Sequence, residues 1–342
     1  MSRQQKSLAE KQAVEAIREY KQRDDVLLQV QRLRAGDRAA LSSAITLLES
    51  RTESHRQKAE IIIDACLPHS GKSLRIGITG VPGVGKSTFI DAFGTMLTSL
   101  GKKVAVLAID PTSPVSRGSI LGDKTRMSNL SNNPNAFIRP SPSSQSSGGV
   151  AHRTREAILL CEAAGFDIII VETVGVGQGE IAVHGMTDFF MLLMLAGAGD
   201  QLQGIKRGII EMADSIFITK ADSGNEKNSL RARAEYASAL HLFPADESGW
   251  APRVEVVSSQ LNRGIEVAWN IVTEFEQWMK TRSLFQQRRQ QQDVRWMHEA
   301  LDELTREKYL GDEKIQRKIR EMEQLVLEQK LSPFEAARRI VQ

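Results

Sequence analysis

The sequence predicts an α/β fold in which a mainly parallel central sheet is flanked by helices, with helical extensions at both ends. Seven short runs rich in β-branched residues alternate with helical stretches between Leu74 and about Phe275. Continuous apolar strands of this kind are typical of a parallel sheet covered on both faces. A glycine-rich run, Gly80–Thr88, follows the first strand and opens a helix, which puts a specialised loop at the ligand-binding edge of the sheet.

The composition is that of a globular protein of one or two domains. The chain has 342 residues, of which 41% are hydrophobic and 25% charged, and its net charge is +3. Because this charge is too small to indicate a nucleic-acid or membrane footprint, we expect no nucleic acid and no membrane as partners. The N-terminus is polar, and the longest apolar run, Phe189–Ala198, is too short to span a bilayer. These features predict a cytoplasmic protein.

The two cysteines, Cys66 and Cys161, are far apart and lie in apolar helical contexts. We expect both to be small buried side chains rather than metal ligands, because their spacing forms no ligand pair.

Both ends of the chain are predicted to be helical. Before the sheet, apolar residues recur at three- and four-residue spacing, and a turn around Gly36 separates two helices. After about Trp269 the chain is helical and highly charged. We expect an N-terminal helical extension over 1–70, a sheet domain over 71–275 and a C-terminal helical segment over 276–342. The C-terminal segment is either a cap on the sheet or an arm that forms a dimer. The sequence leaves both open, because an amphipathic helix can bury its apolar face against its own chain or against a second copy.

The predicted strands follow the apolar runs. They are expected at Leu74–Thr79, Lys103–Asp110, Ala136–Pro140, Asp167–Thr173, Phe189–Leu195, Ser215–Lys220 and Arg253–Ser258. The segment Ser141–Gly149, rich in serine and glycine, follows the third strand and is predicted to be a mobile loop.

The glycine-rich run has the spacing of a nucleoside triphosphatase phosphate loop, in the required strand–loop–helix setting. It reads Gly80-Val81-Pro82-Gly83-Val84-Gly85-Lys86-Ser87-Thr88. Its glycines let successive N–H groups surround phosphate oxygens, and the following helix adds unpaired N–H groups and a positive dipole end. Lys86 is predicted to reach the β- and γ-phosphates, and the Ser87 hydroxyl to bind Mg²⁺.

Acidic residues after the predicted strands are candidates for Mg²⁺ and the attacking water. Asp110 ends the second strand, although an Asp before Pro also commonly caps a turn. The spacing of Asp123 leaves a metal role and an ordinary turn equally open. Glu172 ends the fourth strand three residues before Gly175. A γ-phosphate sensor needs such a carboxylate, together with a glycine whose N–H meets the terminal phosphate.

The sixth strand leads into Lys220 and Asp222. The carboxylate of Asp222 is predicted to accept hydrogen bonds from guanine, because adenine offers no matching donors there. Lys220 would lie along the base and the phosphate loop. The alternative is an exposed Lys–Asp turn, which the position downstream of a phosphate loop disfavours. Ser258, Ser259 and Gln260 end the seventh strand, where their backbone can contact a base.

Together these residues resemble the GTPases of the methylmalonyl-CoA mutase accessory family, also called the MeaB/ArgK family, over most of the chain. Besides the phosphate loop, the motifs that carry the resemblance are Asp110–Ser113, Gly148–Ala151, Glu172–Gln178, Gly199–Asp200 and Leu202–Lys206. The resemblance implies a P-loop GTPase that binds GTP and GDP with Mg²⁺. It further implies a chaperone for an adenosylcobalamin-dependent methylmalonyl-CoA mutase, which loads or protects that enzyme's cofactor.

The resemblance also implies site roles and an assembly. Asp110, Asp123 and Glu172 would be the acidic set around Mg²⁺ and the attacking water. The segment Gly199–Arg207 would be an extra switch loop that communicates with the mutase. The C-terminal helices would build a homodimer, which favours the arm over the cap.

Three positions depart from the family pattern. Thr219 replaces an Asn that begins the guanine motif, and we expect this change to remove an amide that braces the base and the loop. Gln201 replaces an acid in the extra switch loop, and Ser259 replaces an Ala beside Ser258.

Two other functions remain open from the sequence. A nickel metallochaperone GTPase would need clustered Cys or His side chains to carry the ion, and the sequence has no such cluster. An ATP-dependent kinase or ATPase linked to amino-acid transport would need a site for adenine, which Asp222 disfavours.

Overall fold

The computed structural model describes residues 24–50, 52–109, 127–140, 147–173, 179–197, 207–222, 224–241, 243 and 248–341. The chain divides into two compact units, Met1–Arg289 and Gln290–Gln342. Within the described ranges, no helix combines the length and apolar character that crossing a membrane requires.

The first unit contains a seven-stranded sheet. Its strands are β1 Leu74–Gly80, β2 Val104–Ile109, β3 Ala136–Pro140, β4 Ile168–Thr173, β5 Phe189–Leu195, β6 Ser215–Thr219 and β7 Arg253–Val256. The helices of the described residues are a segment at 24–34, Arg38–Glu49, Glu53–Cys66, Lys86–Ser99, Ser128–Ser131, Ser147–Ala163, Gly179–His184, Arg207–Glu211, Glu226–Leu240, Ile265–Thr281, Leu284–Gly311, Glu313–Leu327 and Pro333–Val341.

All neighbouring strands are parallel, in the order β3-β2-β4-β1-β5-β6-β7. The seven predicted strands and the parallel sheet are therefore confirmed. β1 lies at the centre between β4 and β5, where the chain changes its direction of winding. Ligands of open α/β sheets bind at such a switch point, beyond the carboxyl ends of the strands.

The bounds of β3 and β5 are as predicted, and the ends of the other strands differ from the predicted ones by at most two residues. Asp167 lies just before β4, and its carboxylate accepts a 2.8 Å hydrogen bond from the backbone N–H of Lys103. Lys220 lies just after β6 and has a φ of 56°, a left-handed conformation that cannot continue a strand.

Aromatic packing fixes the helix that follows the phosphate loop. In the helix Lys86–Ser99, the fully buried rings of Phe89 and Phe93 stack with centroids 5.4 Å apart. Phe89 also lies 6.1 Å from Phe217 of β6, and Phe93 lies 6.3 Å from Trp269. Because these rings dominate the local core, the helix has a fixed position against the sheet.

The N-terminal helices join the sheet domain at β3. The predicted break between two of them is confirmed at Gly36, which has a φ of 85°. Asp37 caps the next helix by accepting hydrogen bonds from the backbone N–H groups of Ala39 and Ala40. The Arg38 guanidinium then donates a 2.8 Å hydrogen bond to the carbonyl of Ala136 in β3.

The predicted loop at Ser141–Gly149 is wrong for its last three residues. The helix Ser147–Ala163 begins inside this segment, and residues 141–146 lie outside the described ranges. Each glycine costs about 1 kcal/mol relative to alanine in a helix. Burial of Ile158, Leu160 and Cys161 further along the same helix offsets that cost.

Both cysteines are free and buried, as predicted. Burial raises the pKa of the Cys66 thiol to about 11. Burial, followed by the charge of the adjacent Glu162, raises the pKa of Cys161 as well. Both thiols are therefore unreactive packing groups.

The described residues of the second unit form helices joined by short turns. The phenol of Tyr309 donates a 2.6 Å hydrogen bond to the carbonyl of Ile340, which ties the last helix to the long one. Asp312 caps the helix Glu313–Leu327 through the backbone N–H of Lys314. Leu301, Leu304 and Phe334 are exposed.

Candidate nucleotide site

The phosphate loop leaves the end of the central strand and turns directly into a helix. Gly80, Gly83 and Gly85 have φ values of 152°, 78° and 99°, and the helix begins at Lys86. A Cβ on Gly80 would lie 2.5 Å from the carbonyl oxygen of Leu193 in β5, whereas one on Gly83 would meet no atom within 4 Å. Gly80 is therefore required both by its conformation and by the close approach of β5, and Gly83 by its conformation alone.

The ammonium of Lys86 is buried inside this loop. The residue is 8% exposed, and its Nζ donates hydrogen bonds of 2.7 Å to the carbonyl of Gly80 and 3.3 Å to that of Val81. Burial lowers the pKa of Lys86, and the charges of Glu172 and Glu180 oppose that shift. Among the described residues, the hydrogen-bond acceptors of this buried ammonium are backbone carbonyls. Such a cation is suited to an anionic ligand, because a phosphate would offset its desolvation.

Ser87 and Glu172, both predicted Mg²⁺ ligands, lie together. The Ser87 hydroxyl donates a 3.2 Å hydrogen bond to Oε1 of Glu172. Glu172 is 6% exposed and lies in β4, paired with Ile78 of β1 and Ala108 of β2. A hydroxyl and a carboxylate are the hard oxygen donors that Mg²⁺ prefers, so the two side chains fit this ion.

The other predicted metal and switch residues cannot be located. Asp110, Asp123, Gly175 and the segment 199–206 lie outside the described residues. In the described ranges, no group of three or more His, Cys, Asp or Glu side chains could hold a metal ion.

Glu180 is a site residue that the sequence analysis missed. It lies in the first turn of the helix Gly179–His184, is 1% exposed, and its charge acts on Lys86. The signal in the sequence is its spacing from Val183, which is also buried on this helix. Residues three apart share a helix face, so an acid beside a core position faces the interior.

Thr219 corrects an expectation about the guanine motif. The residue is 3% exposed, and its hydroxyl donates a 2.7 Å hydrogen bond to the carbonyl of Val84 in the phosphate loop. The expected loss of the brace to the loop is therefore wrong. A hydroxyl at the end of a buried strand reaches the same loop that a longer amide would reach.

The residues predicted to hold the base also lie close to one another. The Ser258 hydroxyl donates to Oδ2 of Asp222, and the backbone N–H of Leu261 donates to the Ser258 hydroxyl at 3.2 Å. The Ser258 side chain therefore orients the carboxylate of Asp222. Ser259 is half-buried and Gln260 exposed in the turn that follows.

Lys220 connects this group to the phosphate loop. Its side chain is exposed, and its Cε lies 4.0 Å from where a Cβ on Gly85 would stand. The structure thus brings the described phosphate-loop residues and the described base-site residues to one edge of the sheet.

Comparison with known proteins gives a consistent result. Residues 41–314 match the family model described as Methylmalonyl Co-A mutase-associated GTPase MeaB. The chain is 47% identical to GTPase ArgK of Escherichia coli (strain K12) over 311 residues, which cover 91% of this chain and 94% of the relative. It is 46% identical to the methylmalonic aciduria type A homolog, mitochondrial, of Mus musculus over 312 residues, which cover 88% of this chain and 75% of the relative.

A solved structure described as LAO/AO transport system kinase is also similar. Its TM-score is 0.73 at 40% sequence identity, and the match covers 92% of this chain and 96% of that chain.

These matches span the parallel sheet, the phosphate loop and the base-site residues. The predicted P-loop GTPase fold, the binding of GTP and GDP, and the hydrolysis of GTP are therefore confirmed. The chain belongs to the MeaB family of methylmalonyl-CoA mutase-associated GTPases.

Proposed function

We propose that this GTPase is a chaperone that assists an adenosylcobalamin-dependent methylmalonyl-CoA mutase, by loading the mutase with cofactor or protecting it. The family description names that mutase, and the mouse relative is named for methylmalonic aciduria. The observation that carries the switch chemistry is the contact between Ser87 and Glu172 beside the buried Lys86. It joins the phosphate loop to the end of β4, where a γ-phosphate can be sensed.

In this proposal, Lys86 exchanges its two carbonyl partners for the β- and γ-phosphates of GTP. The loop N–H groups from Gly80 to Thr88 surround the phosphates. Asp222, oriented by Ser258, accepts hydrogen bonds from guanine, and Lys220 lies along the base. The backbone of Ser259 and Gln260 completes the base site.

Ser87 and Glu172 would hold Mg²⁺, together with Asp110 and Asp123. The ion would neutralise the charge that develops on the phosphate oxygens. Of the four residues proposed to act in hydrolysis, Lys86 stabilises the transferred phosphoryl group, while Asp123 and Glu172 orient the attacking water. The N–H of Gly175 meets the terminal phosphate.

We further propose that the partner recognises the triphosphate state through Gly199–Arg207. The C-terminal helices, with the predicted boundary at 276, would form a homodimer. The exposed apolar side chains Leu301, Leu304 and Phe334 support this assembly, because large apolar residues at the surface of a helical segment favour a partner.

The test is GTP turnover by the full-length protein with and without a cobalamin-dependent acyl-CoA mutase from the same cell. Unassisted turnover is expected in the range of about 10⁻⁴ to 10⁻² s⁻¹, with strong stimulation by the mutase. ATP is the substrate control, and Lys86→Ala is the control for contaminating hydrolysis. Equal rates with and without the mutase, and no complex between the two proteins, would remove the coupling.

A second candidate is the kinase or ATPase linked to amino-acid transport that the sequence leaves open. The similar solved structure is named a transport system kinase. This candidate predicts that labelled phosphate moves from a nucleoside triphosphate to an amino-acid-binding protein. The transfer should disappear with Lys86→Ala. Guanine selection by Asp222 favours the first candidate.

A further inference from the structure

The helix Gly179–His184 packs on β4, the strand that carries Glu172, and on β1, the strand that leads into the phosphate loop. Its first turn carries Glu180, which is 1% exposed and acts electrostatically on Lys86. Its last residue is His184. One short helix therefore has a buried acid near the phosphate lysine at one end and a histidine at the other.

This helix packs on β1 and β5 without spare volume. A Cβ on Gly77 of β1 would lie 2.8 Å from both Val183 of the helix and Phe190 of β5. The His184 ring also packs edge-on against Phe190, with centroids 5.6 Å apart. Because densely packed groups do not absorb a displacement, we expect a shift of the helix at Glu180 to change the position of His184.

His184 in turn meets the beginning of the C-terminal helix. Nη2 of Arg288 donates a 3.2 Å hydrogen bond to Nε2 of His184, since a guanidinium can only donate. Nη1 of Arg288 lies 3.8 Å from Oδ1 of Asp214. The Asp214 carboxylate also accepts a 2.8 Å hydrogen bond from the backbone N–H of Phe190, so Arg288 is braced on the sheet.

The neighbouring Arg289 holds this turn of the C-terminal helix in place. Its guanidinium forms hydrogen bonds of 2.8 and 2.6 Å to the two oxygens of Asp188, and both side chains are buried. It also donates a 2.7 Å hydrogen bond to the carbonyl of Gly71. Arg288 therefore starts from a fixed backbone, and its contact with His184 is a defined one.

We propose that the helix Gly179–His184 transmits the state of the nucleotide site to the start of the C-terminal helix through the contact of His184 with Arg288. Arg288 is thereby a positioning residue for GTP hydrolysis, although it touches neither nucleotide nor metal. The inference deepens the proposed function, since it depends on Lys86 binding the phosphates.

The experiment measures single-turnover GTP hydrolysis and GDP affinity for full-length Arg288→Ala and His184→Phe. The second change keeps a ring against Phe190 but removes the acceptor. Each variant should lower the hydrolysis rate about fivefold, corresponding to a coupling of about 1 kcal/mol. GDP affinity should stay within about twofold, because the phosphate loop and base site are untouched.

Transmission through the helix is tested by a double-mutant cycle that combines Glu180→Gln with Arg288→Ala. Glu180 lies at the first turn of the helix, and Arg288 contacts His184 at its other end. Coupling predicts that the double variant is no slower than the slower single variant. Rate losses that multiply, or an unchanged rate in Arg288→Ala, would overturn the proposal. Arg288→Lys should recover part of the rate, because lysine can still donate one hydrogen bond to His184.

Arg282→Ala is the matched control. Arg282 is exposed in the same stretch of chain and stacks on Trp278 with a distance of 3.3 Å to the ring centroid. It should keep the wild-type hydrolysis rate, and a loss as large as that of Arg288→Ala would contradict a specific role for Arg288. A Lys86→Ala protein that still binds GTP normally would refute the proposed phosphate role instead, so the two failures are distinguishable.

Discussion

The hydroxyl of Thr219 donates a 2.7 Å hydrogen bond to the carbonyl of Val84, and this bond joins the strand that leads to the base site to the phosphate loop. The same hydroxyl lies 3.2 Å from the carbonyl oxygen of Met194 in β5. Three neighbouring segments of the site thus meet at one side chain. We expect the identity of this residue to affect nucleotide affinity, because its hydroxyl holds the strand that leads to the base site against the phosphate loop.

We expect Thr219→Val to weaken both GTP and GDP binding about tenfold. Valine keeps the shape of threonine but leaves the Val84 carbonyl without its donor, which costs about 1–3 kcal/mol for a buried group. Isothermal titration calorimetry gives both affinities. Thr219→Asn should bind nucleotide nearly as well as the wild type, since its amide can donate to the same carbonyl. A large loss of affinity in that variant would contradict the role assigned to the hydrogen bond between residue 219 and Val84.

Asp222→Asn should relax the preference for guanine. The amide replaces one acceptor oxygen by a donor, which removes part of the match to the guanine N–H groups. Competition of ATP and GTP for a fluorescent nucleotide measures the ratio. Ser258→Ala should weaken GTP binding more mildly, because it removes only the hydroxyl that orients Asp222. An unchanged GTP/ATP ratio in Asp222→Asn would refute the assignment of the base site.

The glycines of the phosphate loop should differ in their tolerance of alanine. Gly83→Ala adds backbone strain alone, about 1–2 kcal/mol. Gly80→Ala also forces a methyl group against the Leu193 carbonyl at 2.5 Å, which adds about 1–3 kcal/mol of overpacking. Urea denaturation of the nucleotide-free proteins measures both changes. If the two variants lost the same unfolding free energy, β5 would be able to move away from the added methyl group at little energetic cost.

The free energy of unfolding should depend on pH through Lys86. Burial lowers the pKa of Lys86 in the folded chain below its unfolded value, so folding disfavours the charged form. This cost is full below the folded-state pKa and disappears as the pH rises through that value to the unfolded pKa.

The stability of the wild type relative to nucleotide-free Lys86→Met should therefore increase as the pH rises through the lowered pKa of Lys86 toward the ordinary lysine pKa of about 10.4. Denaturant titrations at several pH values measure the difference. Lys103→Met, at the exposed opposite edge of the sheet, controls for the loss of one positive charge. If the difference in unfolding free energy between the wild type and Lys86→Met did not change with pH, burial would not be lowering the pKa of the Lys86 ammonium.

Arg289→Ala should destabilise the first unit by about 3–5 kcal/mol, because it leaves the Asp188 carboxylate buried without its bidentate partner. Arg253→Ala is the control. It removes an ion pair with Glu274 in which both side chains are about half exposed, and such pairs contribute less than about 1 kcal/mol. Chemical denaturation measures the unfolding free energy of both variants. Similar losses in Arg289→Ala and Arg253→Ala would contradict the expected importance of the buried pair of Arg289 and Asp188.

The sequence was sufficient to predict the sheet and the phosphate loop, because both depend on local signals. Apolar runs such as Phe189–Leu195 form strands wherever a parallel sheet can bury them. The spacing from Gly80 to Thr88 specifies a loop by the conformations that only glycine adopts easily. Ser87 was predicted to bind Mg²⁺ from its place in the phosphate-loop motif, and Glu172 from its position at the end of a strand and from the family resemblance.

Long-range partners were not predictable in the same way. Asp188 and Arg289 are 101 residues apart, and neither has a neighbour in sequence that indicates the pair. Glu180 was overlooked because its burial depends on the packing of a short helix rather than on a motif. The bond from Thr219 to Val84 depends on the distance between two strands, which a motif pattern does not contain.

The central strand β1 is fixed at both ends. The backbone N–H of Arg75 donates to Asp188 near its start, and Gly80 lies against β5 at its end. The phosphate loop is thus preorganised during folding, and nucleotide binding does not have to repay the conformational entropy of ordering it. A rigid cradle of this kind presents the same N–H groups to GDP and to GTP. The difference of one phosphate must therefore be detected by groups other than the backbone N–H groups of this loop.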